Sequence, residues 1–272
     1  MDPLTWFEAA LNVADKAGAV AISPLDCVFR TLHNPGVALF LVYLAFVWFA
    51  YGRTLGGPRA FGSTFRVAYN VAQSLLSLAY TAALMYAVAD RVQRVGWLGA
   101  ACAKLDYAHN KNYQGADMWL YFLFGVNAAM RAVDFFDTVL IFDSGTLVSF
   151  LHTYHHAATF VLVCVQYADR TPFSWLTLLV NGGVHVVMYF YYALCSAGYR
   201  PPWKRFVTRL QIAQFVLILL AYGATTLGVA LGLVECYATA RAQWSALFVL
   251  SSYLVLFWRF ERATYAARPK TE

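Results

Sequence analysis

Three histidines, His152, His155 and His156, fall within five positions of the apolar stretch Phe150-Leu151-His152-Thr153-Tyr154-His155-His156. At about 100° per residue, positions i, i+3 and i+4 share one face of a helix, so the three imidazoles converge on one space. The stretch 146–168 is long and apolar enough to cross a bilayer, where an imidazole turned to lipid would lack partners. The face is therefore expected to be a polar interior or cavity with a chemical task, and a polar cluster that only joins helices is the structural alternative. Two further stretches carry polar groups on one side. Asn181, His185, Met188, Tyr189 and Tyr192 lie within an arc of roughly 100°, and Asn127, Arg131, Asp134 and Thr138 within roughly 60°, with Asp137 beside them. Two helices thus aim histidines inward, and a third brings ionisable groups that are costly in lipid.

Clustered histidines in a membrane suit three kinds of chemistry: di-iron oxidation, zinc hydrolysis, and acyl transfer without a metal. A membrane di-iron enzyme needs a larger histidine set, whereas this chain has six in all, with His33 and His109 outside the expected spans. The helical zinc-protease pattern HExxH is missing, since Thr153 and Tyr154 follow His152. A metal on His152, His155, His156 and His185 stays open as an alternative, but none is expected. Metal-free acyl chemistry needs a nucleophile or base, donors for a developing oxyanion, and a dry site. Imidazole supplies the first. Cys164 and Cys195 have no motif partner and read as small buried apolar residues.

The elements that must hold these groups follow from composition. Of 272 residues, 61% are hydrophobic and only 12% charged, with a mean hydropathy of +0.54. That excludes an ordinary soluble domain and indicates an all-α polytopic membrane protein. Seven spans are expected, at about 36–51, 67–89, 117–142, 146–168, 172–197, 208–234 and 243–260. One domain covers 1–272: an interfacial segment at 1–35, a seven-helix bundle at 36–260, and a tail at 261–272. The first segment has no basic start followed by an apolar core and does not read as a signal peptide. The longest connection, 91–116, is expected to lie at the membrane surface. The net charge of +6 sits in short connections, as topology requires, so nucleic acid is not an expected partner; anionic lipid or a phosphate-bearing substrate is. The distribution of Lys and Arg favours a cytosolic carboxyl end, with the basic 91–116 connection dissenting. Cys27, Cys102, Cys164, Cys195 and Cys236 form no CxxC pair, so no disulfide framework is indicated.

Together the motifs resemble the very-long-chain fatty acid elongase family, the membrane 3-ketoacyl-CoA synthases. That family carries an HxxHH box like His152 to His156, an NxxVHxxMYxYY stretch like Asn181 to Tyr192, and a TxxQxxQ element like Thr208, Gln211 and Gln214. Its KxxExxDT element corresponds to residues 131–138, with Arg131 in place of Lys and Asp134 in place of Glu, while Asp137 and Thr138 match. The resemblance implies seven transmembrane helices, six of them around an acyl-chain tunnel. It implies condensation of acyl-CoA with malonyl-CoA to 3-ketoacyl-CoA, carbon dioxide and CoA, with no cofactor. His152, His155, His156, His185, Asn181 and Asp137 would be catalytic. Tyr189, Tyr192, Thr208, Gln211, Gln214, Lys204 and Arg205 would hold substrate, with Arg131, Asp134, Thr138 and Met188 in support. It further implies the endoplasmic reticulum, with a ketoacyl reductase, a dehydratase and an enoyl reductase as partners; a homo-oligomer is left open. HTYHH followed by Ala157-Ala158-Thr159 looks most like fungal and protozoan members. Residues 268–272 look like a dilysine retrieval signal with Arg at one position. A transporter or receptor with an intramembrane histidine cluster is the competing class.

Overall fold

The structure, a computed structural model, describes residues 35–53, 59–106 and 116–265. The expected interfacial segment, His33, His109 and the retrieval signal lie outside the described residues. The chain divides into two units, 1–48 and 49–272. Eight helical segments and no strands occur among the described residues: α1 Pro35–Ala50, α2 Ser63–Cys102, α3 Met118–Val133, α4 Phe135–Asp143, α5 Phe150–Ala168, α6 Ser174–Ser196, α7 Lys204–Ala230 and α8 Ala240–Tyr265. Four of them, α2, α6, α7 and α8, are long and apolar enough to cross a membrane. Helix α1 begins on Pro35, where a missing N–H costs nothing, and carries no polar stripe.

Helix α2 extends past the expected span end at 89 into the 91–116 connection, of which residues 107–115 lie outside the described residues. It runs through to Cys102, turning at Gly96, whose φ of 72° and ψ of 171° suit a residue without a Cβ. Arg91 is buried to 1% exposure rather than lying at the surface. Its guanidinium reaches Asp117 and the carbonyls of Gly99, Ala100 and Ala103, so it closes the free carbonyl end of its own helix. Arg94 adds bonds to Asp90 and Asp117. Arg91 and Arg94, two of the basic residues that opposed the topology reading, are thus committed to structural ion pairs, and Lys104 lies over the Tyr237 ring.

Helix α2 lies along α6. Asn70, Gln73, Ser74 and Ser77, all buried, recur at i, i+3, i+4 and i+7 and form the contact stripe. Ser74 Oγ donates to the carbonyl of Val186 at 2.9 Å. A Cβ on Gly182 would stand 2.4 Å from Thr81 Oγ1, so glycine permits the close crossing.

The expected span 117–142 is broken at Asp134 into α3 and α4. The Asp137 N–H bonds the Asp134 carbonyl at 3.1 Å, a tighter i+3 turn inside the run. Helix α5 starts at Phe150, four residues later than expected, capped by Ser149, whose Oγ accepts from the His152 N–H. The histidine box therefore occupies the first two turns, at one end of the bundle. Helices α5, α7 and α8 bury Leu162, Phe215, Ile218, Tyr222, Leu250 and Tyr253 against one another.

At the opposite end, Cys102 and Cys236 form a disulfide, a pairing the scattered cysteines did not indicate. Their separation of 134 residues hides it from local spacing. The Tyr237 N–H also donates to the Cys102 carbonyl at 2.8 Å.

Candidate active site

Helices α3, α4, α5 and α6 bring their polar faces together near the start of α5. Ser149 fixes the first turn of α5, and there Thr138 Oγ1 of α4 lies 2.9 Å from His152 Nε2. Thr138 is fully buried, so this contact occurs away from bulk water. The His152 and His156 rings are 4.2 Å apart, and those of His155 and His156 5.6 Å. The His155 ring sits 4.8 Å from Tyr253 and 5.7 Å from Phe257, two side chains of α8. Tyr253 also donates to the His155 carbonyl at 3.0 Å and bonds Thr159 at 2.9 Å, which locks α8 against the box.

His185 of α6 is buried. Arg131 of α3 lies against it, with Nη1 3.2 Å from Nδ1 and 3.1 Å from Nε2. A guanidinium only donates, so a hydrogen bond here requires an unprotonated ring nitrogen facing it. The same Nη1 pairs with Asp134 Oδ2 at 2.8 Å and stands 3.5 Å from Asn181 Oδ1. Arg and Asp at i and i+3 thus close a pair within one turn, and that pair also borders the imidazole.

Tyr189, one turn after His185, has its ring 5.6 Å from that imidazole. Its hydroxyl reaches Asp137 Oδ2 at 2.6 Å and Asp134 Oδ1 at 3.2 Å. It has one proton for two carboxyl groups, and the shorter contact is to Asp137.

The remaining expected residues divide. Thr208 and Gln214 are buried on α7, whereas Gln211 donates to the Met188 sulfur at 3.3 Å. Tyr192 departs from the inward arc: it is 42% exposed, its ring 6.1 Å from Tyr189, at the rim of the cluster. Tyr191 and Ala193 on the same turn are buried, so the opening is confined to the Tyr192 side. Lys204 and Arg205 are exposed. Arg205 pairs with Glu261 of α8 at 2.8 Å, and Arg209 reaches the same carboxylate at 3.4 Å. This basic mouth stands at the same end of the bundle as the histidine box.

Sequence reasoning missed the contribution of α2. Gln73 reaches Asp134, and Tyr69 lies beside it. The polar stripe Asn70, Gln73, Ser74, Ser77 in an apolar helix was the available signal. Deeper in the bundle, a cavity of about 30 Å³ is lined chiefly by Phe124, Leu162, Leu178, Tyr222 and Leu250. Leu162 lies seven residues beyond His155 on α5, or roughly 10 Å along the helix.

Four imidazoles, one guanidinium and two carboxyl groups, of which His185, Arg131 and Asp134 are buried and the others half-buried, at the basic end of the bundle, have the parts for acyl transfer on an anionic substrate. Comparison with known proteins agrees in kind. The chain matches the ELO (GNS1/SUR4) family over residues 29–272. It is 35% identical to "Putative fatty acid elongase 2" of Schizosaccharomyces pombe, over 72% of this chain and 54% of that protein. It is 33% identical to "Putative fatty acid elongase 1" of the same yeast, over 74% of this chain and 60% of that one. Fatty acid elongase 2 of Trypanosoma cruzi is 30% identical over 85% of this chain and 86% of its own length. The chain thus spans little more than half the length of the two yeast relatives. These relatives are fungal and protozoan, the groups that the HTYHH stretch resembles. By a match that takes in the histidine box, the Asn181 to Tyr192 stretch and nearly all the described helices, this chain belongs to the ELO (GNS1/SUR4) family.

Proposed function

We propose that this protein condenses a long-chain acyl-CoA with malonyl-CoA, giving 3-ketoacyl-CoA, carbon dioxide and CoA. The observation that carries the reading is that the 131–138 segment holds both histidine groups, His185 through Arg131 beside Asp134 and His152 through Thr138. In the first step an imidazole nitrogen attacks the thioester carbonyl. The C–S bond breaks as a C–N bond forms, and the ring N–H proton leaves with the CoA sulfur. In the second step the malonyl C–CO₂ bond breaks, and its electron pair joins the acyl carbon while the C–N bond opens. The ring nitrogen takes up a proton, so one proton is consumed per turnover. Asn181 and Tyr189 are in place to support the enolate or oxyanion.

The acyl chain would run from the histidines toward the cavity past Leu162. At about 30 Å³ that cavity holds little more than water, so a chain must displace side chains such as Leu162 and Tyr222 to enter. The CoA phosphates would meet Lys204, Arg205 and Arg209 at the mouth. The Cys102–Cys236 disulfide supports an oxidising compartment at the far end of the bundle, hence a cytosolic carboxyl end and residence in the endoplasmic reticulum. A 3-ketoacyl-CoA product needs a reductase, a dehydratase and a second reductase to become a saturated acyl-CoA, and these are the partners expected.

The test is release of free CoA by purified protein in detergent. Acyl-CoA plus malonyl-CoA should yield CoA, carbon dioxide and a 3-ketoacyl-CoA two carbons longer. No release with correctly folded protein would return the histidine cluster to a transport or ligand-binding role.

A further inference from the structure

Helix α2 carries no motif, yet its Gln73 is 6% exposed and lies against the ionisable set. Its Nε2 lies 3.3 Å from Asp134 Oδ1 and 3.2 Å from the Tyr69 hydroxyl oxygen. A primary amide has two N–H donors, and both acceptors face the same nitrogen, so one hydrogen serves each. The opposite orientation would set the amide carbonyl against a carboxylate, so the amide is fixed in this sense.

Asp134 then has a donor on each oxygen. Its Oδ2 takes Arg131 at 2.8 Å and its Oδ1 takes Gln73. Tyr189 has one hydroxyl proton and two carboxylates in reach, Asp137 at 2.6 Å and Asp134 at 3.2 Å. With Asp134 already supplied, the proton goes to Asp137. Without the amide, Asp134 Oδ1 would have the Tyr189 hydroxyl as its remaining donor and would draw that proton away from Asp137.

We propose that Gln73 is a positioning residue, which acts through Asp134 to hold the Tyr189 hydroxyl on Asp137 and so sets its angle toward His185. The inference rests on the condensing reading above. It assigns to α2 a role in the reaction, as a fifth helix of the site beside α3, α4, α5 and α6.

The experiment is a double-mutant cycle between Gln73→Met and Tyr189→Phe, with Gln73→Glu as a second variant that keeps the shape and replaces donors by acceptors. Gln73→Met should lower kcat about fivefold to tenfold, the worth of one neutral hydrogen bond. KM for acyl-CoA should stay within twofold, because nothing that binds the chain has moved. In the Tyr189→Phe background, which has no hydroxyl to misdirect, Gln73→Met should cost less than twofold further. Gln73→Glu should be at least as slow as Gln73→Met.

Multiplicative losses in the double variant, or a kcat unchanged by Gln73→Met, would overturn the proposal. So would failure of both Gln73 variants to accumulate as folded protein, since the amide would then serve the fold. Wild-type protein run in parallel separates this from the parent reading. If it releases no CoA, the condensing function itself has failed.

Discussion

Arg131 Nη1 lies 2.8 Å from Asp134 Oδ2 and within 3.2 Å of both ring nitrogens of His185. One buried cation therefore neutralises a carboxylate of its own helix and orients an imidazole of another. Arg131→Ala should unfold the bundle as well as stop the reaction, because a buried partner left alone costs about 3–5 kcal/mol. The expected signs are loss of a monodisperse peak and a lower melting temperature in detergent. Arg131→Lys keeps the charge but shortens the fork, and Asp134→Glu lengthens the other arm. The double variant Arg131→Lys with Asp134→Glu, which reproduces the KxxE spacing, should recover more activity than either single change. A double variant no better than the worse single one would show that reach does not govern this pair.

Thr138 and His152 test a second contact. The hydroxyl at 2.9 Å from Nε2 holds the ring's orientation. Thr138→Val keeps the volume and removes the hydroxyl, so kcat should fall roughly tenfold with little change in melting temperature. Thr138→Ser should restore most of the rate. If valine and serine behave alike, the hydroxyl has no part in the reaction.

The far end of the bundle should respond to pH and to reductant. The Arg241 guanidinium holds the Asp169 carboxyl below its ordinary value of 3.8, with Thr239 as a further donor. A carboxyl lowered on folding adds stability above its unfolded pKa, and loses it as pH falls through the lower, folded value. Asp169→Asn should thus lower the melting temperature at pH 7, and its cost should shrink as pH falls below the ordinary carboxyl value of 3.8. An equal penalty throughout would point to lost shape rather than lost charge. Reducing Cys102–Cys236 releases a loop of more than a hundred residues, worth on the order of 4 kcal/mol. Cys102→Ser and reductant should therefore lower the melting temperature alike, and reductant should leave Cys102→Ser unchanged.

At the basic mouth, Arg205 and Arg209 share Glu261, which leaves guanidinium donors to spare. Replacing Lys204 and Arg205 together by Gln should raise KM for acyl-CoA and malonyl-CoA by similar factors, roughly tenfold, with kcat retained. The effect should shrink at high salt. An unchanged KM in correctly inserted protein would reduce these cations to topology signals.

The site was legible in sequence where it obeys helical spacing. Arg131 and Asp134 read as an i, i+3 pair, and His152, His155 and His156 as one face, because rotation per residue is all that such neighbours need. Contacts between distant segments were not legible. Gln73 meets Asp134 across 61 positions and Cys102 meets Cys236 across 134, and neither has a local pattern that names its partner. Arg91 was misread because a basic residue near the end of an apolar run usually marks a surface, whereas Asp117 and three carbonyls bury this one.

The covalent step can be isolated by withholding one substrate. His155, packed on Tyr253 and Phe257, and His185, buried beside Arg131, are the two candidate acceptors of the acyl group. Neither has a partnered cysteine or serine to act in its place. Incubation with acyl-CoA alone should release about one equivalent of CoA per active site and leave the acyl mass on a peptide containing His155 or His185. Malonyl-CoA added afterwards should discharge that mass as 3-ketoacyl-CoA. His155→Ala and His185→Ala assign the acceptor: the variant that loses the burst lacks the acylated ring. If acyl-CoA alone yields neither free CoA nor a modified peptide, while both substrates together give full turnover, the reaction proceeds through a ternary complex. In that case the histidines orient or deprotonate, and Asn181 and Tyr189 carry the charge of the enolate.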